Sequence, residues 1–228
     1  MSLSTGRGPL SGRPAGRFSA PVPDGVVYVE PFPRRVRAVV DGRTVVDSER
    51  VVLVHRPGSP PTFAFPTDDV EPTAASTSPE PAAPGHVTLP WAAADAWFEE
   101  DEEVFGHPRN PYHRVDSVRT SRRLRVEVAG VVVVDTTTTT GVYETSLAPR
   151  LYVARSEVRT DLIRPSRTTT YCPYKGTASY WDVVVGDDVV ADAAWSYEDP
   201  LPEVEPIRGL LSFDEARVAA VADLPELR

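Results

Sequence analysis

Two stretches of this chain align with one another without a gap. RRVRAVVDGRTVVDS (Arg34–Ser48) and RRLRVEVAGVVVVDT (Arg122–Thr136) share eight of fifteen positions: three Arg, three Val, one Gly and one Asp. The same register carries on through Val54–Val70 and Val142–Val158, pairing Val54 with Val142 and Pro61 with Pro149. A constant offset over this length is the signature of a duplicated structural unit. The chain is therefore expected to fold as two similar modules, residues 26–117 and 118–228, after a tail over residues 1–25.

Each repeat reads as β structure. The runs around Val36–Val40 and Val126–Val134 are short, rich in β-branched residues and interrupted by Gly. DGR at Asp41–Arg43 and AGV at Ala129–Val131 read as two-residue hairpin turns, where Gly tolerates positive φ. Gly186–Asp188 separates YWDVVV from VVADAAW as a further hairpin. Two segments carry helix signals: WAAADAWFEEDEE (Trp91–Glu103), full of good helix formers, and FDEARVAAV near the C-terminus, entered through Ser212 with Glu215 three residues on. The Pro/Ala/Ser/Thr-rich stretch Glu71–His86 reads as a loop or flexible insert. The class is mostly β with few short helices.

Composition narrows the function. The net charge of −9 argues against a nucleic-acid backbone or an anionic membrane as partner, since both demand a cationic surface. No run approaches the ~18 apolar residues of a membrane span. The Gly/Pro/Ser-rich N-terminal segment lacks an apolar core, so no secretory signal is expected and the segment reads as a disordered tail. One cysteine forms no internal disulfide, which fits a reducing cytoplasm. No CxxC pair and no His spacing suggests a metal, and no cofactor is expected.

The chemistry concentrates in TTTYCPYKGTASYW (Thr168–Trp181). It holds the only cysteine, Cys172, and the only lysine, Lys175, in a chain with 24 Lys and Arg together. Pro173 and Gly176 mark a turn. In a turn of this length Cys172 and Lys175 approach one another, and an ammonium lowers a thiol's pKa. Lys175 and Cys172 are thus candidate catalytic groups, with Glu144 as acid or base. At the aligned position the first repeat has Arg56 for Glu144, and Thr62 for Arg150. Arg164 is a candidate clamp for a carboxylate or phosphate. Arg150, Tyr152, Tyr180, Trp181, Trp195 and Tyr197 complete the candidate lining, the aromatics as a wall. Three readings stay open: an enzyme on a small metabolite, a non-catalytic module binding a small anionic or aromatic ligand, and a structural or interaction protein.

EPFPRRVRAVVDG, YETSLAPRLYV, RPSRTTTYCPYKGTASYW and AAWSYEDPLPEVEPIRGLLSF resemble the family known as domain of unknown function 427, in its bacterial tandem form. The resemblance implies two β-tent-like modules without zinc. It carries Glu144, Arg150, Tyr152, Arg164, Thr170, Cys172, Lys175, Tyr180, Trp181, Trp195 and Tyr197 as motif positions. It implies no particular activity. The first copy departs from the pattern, with Arg56 in place of Glu and no CPYKG.

Overall fold

A computed structural model describes residues 11, 16–72 and 76–224. Most of the expected tail, residues 1–10 and 12–15, lies outside the described residues, as do residues 73–75 of the expected loop. The chain divides into two compact units, Met1–His113 and Arg114–Arg228. The described residues form nineteen strands, every pairing within the sheets antiparallel, with short 3-10 turns between them.

The first unit holds β1 (Tyr28–Pro31), β2 (Val36–Val40), β3 (Arg43–Ser48), β4 (Val52–His55), β5 (Thr62–Pro66), β6 (Ser78–Pro79), β7 (His86–Thr88), β8 (Ala96–Glu99) and β9 (Glu102–Val104). They form two sheets, ordered β1-β4-β5-β7-β6 and β3-β2-β8-β9. The second unit holds β10 (Val115–Thr120), β11 (Leu124–Val128), β12 (Val131–Thr136), β13 (Thr139–Glu144), β14 (Arg150–Val153), β15 (Ile163–Cys172), β16 (Gly176–Val185), β17 (Asp188–Ser196), β18 (Leu211–Phe213) and β19 (Ala219–Ala222). Its sheets run β10-β13-β14-β18-β17-β16-β15 and β12-β11-β19.

The duplication extends to backbone and side-chain detail. A bulge interrupts the β2–β3 ladder at Ala38/Val39 and the β11–β12 ladder at Val126/Glu127. Isolated bridges join Val46 to Val70 and Val134 to Val158. A bidentate pair links Arg35 to Asp47 at 2.7 and 2.6 Å, and Arg123 to Asp135 at the same two distances. Both hairpin turns place two successive residues at positive φ: Asp41 and Gly42 in one, Ala129 and Gly130 in the other. The right-handed twist of the strands requires that geometry of a two-residue turn. The copies differ between β14 and β18, where the second unit inserts the long strands β15, β16 and β17 and the first unit has only β6 beside β7.

Apolar residues alternate along each repeat strand and fill a core in each unit. In the first, Val36, Ala38, Leu53, Phe63, Phe65 and Trp97 pack together. In the second, Leu124, Val126, Val134, Leu151, Val183 and Phe213 do so.

Neither expected helix forms. Trp91–Ala93 make one 3-10 turn, after which Ala96–Glu99 run as β8 against β2. Burial there alternates, with Trp97 and Glu99 inside, a period-2 pattern that overrides the helix preference of Ala. Trp97 stacks on Trp91 at 4.9 Å and donates from Nε1 to the Trp91 carbonyl. Buried Glu99 accepts from Arg34 at 2.5 Å. Ser212 caps no helix either: it is buried in β18, and Asp214 closes a turn by accepting from the Ala216 N–H at 3.0 Å. Ala219–Ala222 then pair with β11 as β19.

The expected loop Glu71–His86 is also more ordered than its composition suggests. Ser78–Pro79 pair with β7, and Glu80 is 4% exposed. Arg56 donates to both Glu80 oxygens, at 2.6 and 2.8 Å, and the Ala82 N–H donates at 2.9 Å. Burial pushes the Glu80 carboxyl up, but these bonds to its charged form outweigh burial and hold it below its ordinary value.

Candidate functional site

The site grows from the tip of the β15–β16 hairpin. Cys172 and Gly176 face each other across it, and the Lys175 N–H donates to the Cys172 carbonyl at 3.2 Å. Gly176 has φ +93°, and a Cβ there would lie 3.4 Å from the Asp199 carbonyl oxygen. The positive φ favours glycine at this position, the Asp199 oxygen being at van der Waals distance. The Lys175 carbonyl accepts from Leu201 N at 3.1 Å, which ties the tip down.

Lys175 is 8% exposed. Its ammonium donates to the Glu144 carboxylate at the end of β13, both side chains nearly buried. In sheet order β14, β18 and β17 stand between β13 and β16. The sheet therefore curls until its far hairpin meets the end of β13. Each charge offsets the cost of burying the other, which alone amounts to several kcal/mol.

Beside the pair is a cavity of about 290 Å³ lined by Val142, Glu144, Leu147, Ala148, Arg150, Tyr152, Lys175, Tyr180, Trp195 and Tyr197. Strand parity assembles it. Val142 and Glu144 share a face of β13, Val142 pairs with Arg150, and Tyr152 lies two residues beyond. On the other arm Tyr180 pairs with Trp195, and Tyr197 follows two residues later. Tyr152 is 2% exposed, and its hydroxyl accepts from Trp195 Nε1 at 2.9 Å. Burial pushes the phenols of Tyr152 and Tyr197 above their ordinary value, so both stay neutral donors. The Tyr180 hydroxyl lies 3.2 Å from Thr170 Oγ1. The Arg150 guanidinium sits 5.7 Å from the centre of the Trp195 ring. Its Nη1 is 3.5 Å from Glu215 Oε1 and makes no hydrogen bond.

Three candidates lie elsewhere. Cys172 is half-buried and packs with Val142, Tyr152, Ala178, Tyr197, Val204 and Ile207; it is not among the cavity-lining residues. Arg164 pairs with Asp182 at 3.2 Å on the β15–β16 ladder. Trp181, next to Tyr180, faces the opposite side of β16. There Nε1 donates to Ser196 Oγ at 2.8 Å, Arg155 covers the ring at 4.1 Å, and the indole packs on the main core. Alternation along YW separates these two aromatics without any structure. Leu147 and Ala148, in the β13–β14 connection, complete the lining. Neither carries a chemical signal in the sequence.

The first unit lacks this lining. Thr62 and Ala64 stand where the second unit has Arg150 and Tyr152, and Arg56 at the place of Glu144 is held by Glu80. Among the described residues no group of three His, Cys, Asp or Glu side chains is placed to hold a metal, and no helix is long and apolar enough to cross a membrane.

No curated protein matches the chain. The family described as "Domain of unknown function (DUF427)" matches residues 28–83 and 116–224, one stretch in each repeat. These stretches cover well over half of the chain, which belongs to that family.

Proposed function

We propose that the C-terminal unit binds a small molecule in the cavity beside Glu144 and Lys175, without covalent chemistry. One observation carries this reading: a hollow of about 290 Å³ is walled by Tyr152, Tyr180, Trp195 and Tyr197, while its buried ammonium and carboxylate are already bonded to each other. The volume lies at the small end of ligand sites, and the mix of aromatic walls with a few polar groups is typical of them. The Lys175 nitrogen is engaged with the Glu144 carboxylate, which argues against it as the attacking group. Cys172 lies outside the lining, which argues against the sulfur as the attacking group.

Thermal-shift screening of the full chain against small metabolites, run beside alkylation of Cys172 near neutral pH, tests the proposal. A ligand is expected to raise Tm while Cys172 labels slowly. Fast labelling that the ligand blocks would favour an enzyme using Cys172 instead. A catalytic reading keeps one specific support, that Glu144 and Lys175 both line the cavity. It predicts turnover that Glu144→Gln abolishes.

A further inference from the structure

We infer that the ligand of this cavity is a small planar carboxylate, anchored on Arg150 and the Tyr197 hydroxyl; the inference rests on the binding reading above. A count of donors and acceptors carries it. Lys175 is the cavity's only ammonium, and its charge is matched by the Glu144 carboxylate. The Trp195 indole N–H is spent on Tyr152. The Tyr180 hydroxyl is shared with Thr170.

Beside the Tyr152 O–H, which accepts from Trp195 and donates to no described residue, two donors are left over. The Arg150 guanidinium hydrogen-bonds to no described residue; its one protein ion contact is Glu215, at 3.5 Å and half exposed. Tyr197 is 5% exposed and lines the cavity, and its hydroxyl is not engaged in the bonds just named. A buried polar atom without a partner is unfavourable, and a ligand acceptor relieves that at Arg150 Nη1.

The unmet need is thus for acceptors, and the free charge is a cation. The guanidinium fork matches a carboxylate with two parallel bonds, and a ligand so bound displaces the long contact to Glu215. The aromatic rings of Trp195, Tyr152 and Tyr180 in the lining suit a ring-bearing body behind that headgroup. The chain carries a net charge of −9, so its overall field does not gather anions. Selection for an anion must come from this local arginine.

The first unit supports the assignment by contrast. Its Arg56 is held by Glu80, and it has Thr62 at the position of Arg150, so neither aligned position offers a free cation.

Isothermal titration of the full chain with benzoate and its neutral isostere benzamide tests the inference. Benzoate is expected to bind at least ten-fold more tightly than benzamide. Arg150→Met should erase that preference, and Tyr197→Phe should weaken benzoate several-fold at unchanged far-UV circular dichroism. Equal binding of the two probes, or a preference that survives in Arg150→Met, would overturn the carboxylate assignment and leave the cavity as a binding site. Absence of heat and of any Trp fluorescence change with both probes up to millimolar concentration would overturn the binding reading itself. Should Arg150→Met fail to fold, Tyr197→Phe decides alone: unchanged benzoate affinity in that variant contradicts the inference.

Discussion

Lys175 and Glu144 form a buried ion pair that has a counterpart of opposite polarity in the first unit, where Arg56 and Glu80 meet. The strand-end residue is acidic in one copy and basic in the other, and the segment that folds over the sheet supplies the complementary charge. A pair conserved in role while reversed in sign behaves as a clasp holding an excursion of the chain against the sheet.

Removing one member of the pair strands the other. Lys175→Met or Glu144→Leu alone should each cost about 3 kcal/mol or more in urea unfolding of the full chain, whereas Lys175→Met with Glu144→Leu together should fall near wild type. The exchanged pair Glu144→Arg/Lys175→Glu should recover much of the loss of either single change. Additive single-variant effects would show that no clasp exists.

The tip of the β15–β16 hairpin is built around Gly176. A side chain there meets a positive φ, with the Asp199 carbonyl at van der Waals distance. Gly176→Ala should destabilise by roughly 1–3 kcal/mol, and it should displace Lys175 and weaken ligand binding in the same protein. A change at Gly186, where a Cβ meets nothing within 4 Å, gives the comparison for φ alone.

The two repeat hairpins differ at one turn residue. Asp41 occupies the positive-φ position in the first and Ala129 in the second. Asn and Asp adopt this conformation more readily than Ala. Ala129→Asn should therefore raise the stability of the second unit, by about 0.5–1 kcal/mol, read from its thermal midpoint.

Acid should unfold the first unit through Asp69. The Arg50 guanidinium, and after it the Ser48 hydroxyl, hold the Asp69 carboxyl below its ordinary value despite partial burial. A carboxyl depressed in the folded state adds stability that is present above its unfolded pKa near 3.8 and lost as pH falls through the folded value. Stability followed from pH 6 to pH 2 should fall below about pH 4, and Asp69→Asn should flatten that limb while lowering the plateau.

Much of the architecture is readable from residue order. Val-rich runs around Asp41–Gly42 and Ala129–Gly130 specify two hairpins, because β-branched residues and positive-φ turns leave little choice. The helices suggested at Trp91–Glu103 and after Ser212 fail for a common reason. Both segments contain good helix formers, but each is needed as a strand beside β2 or β11, and local preference of a few tenths of a kcal/mol per residue yields to that pairing. Seven of the ten residues lining the candidate cavity are legible in the sequence. Glu144, Arg150, Tyr152, Lys175, Tyr180, Trp195 and Tyr197 come together because strand parity and the repeat register bring them onto one face. Cys172 sits beside Lys175 in sequence, but a tight turn does not dictate that two side chains share a hollow. The partner of Arg56 was hidden because Glu80 lies in a Pro/Ala-rich stretch whose composition resembles a solvated loop.

The chain's four tryptophans give the most direct test of the central claim, that the second unit binds small carboxylates in the Arg150 cavity. In a titration with benzoate followed by indole N–H resonances, Trp195 should shift and saturate while Trp181, on the opposite face of the sheet, and Trp91 and Trp97, in the first unit, hold still. Shifts spread equally over all of them, or a Trp195 signal that stays in place, would contradict the account.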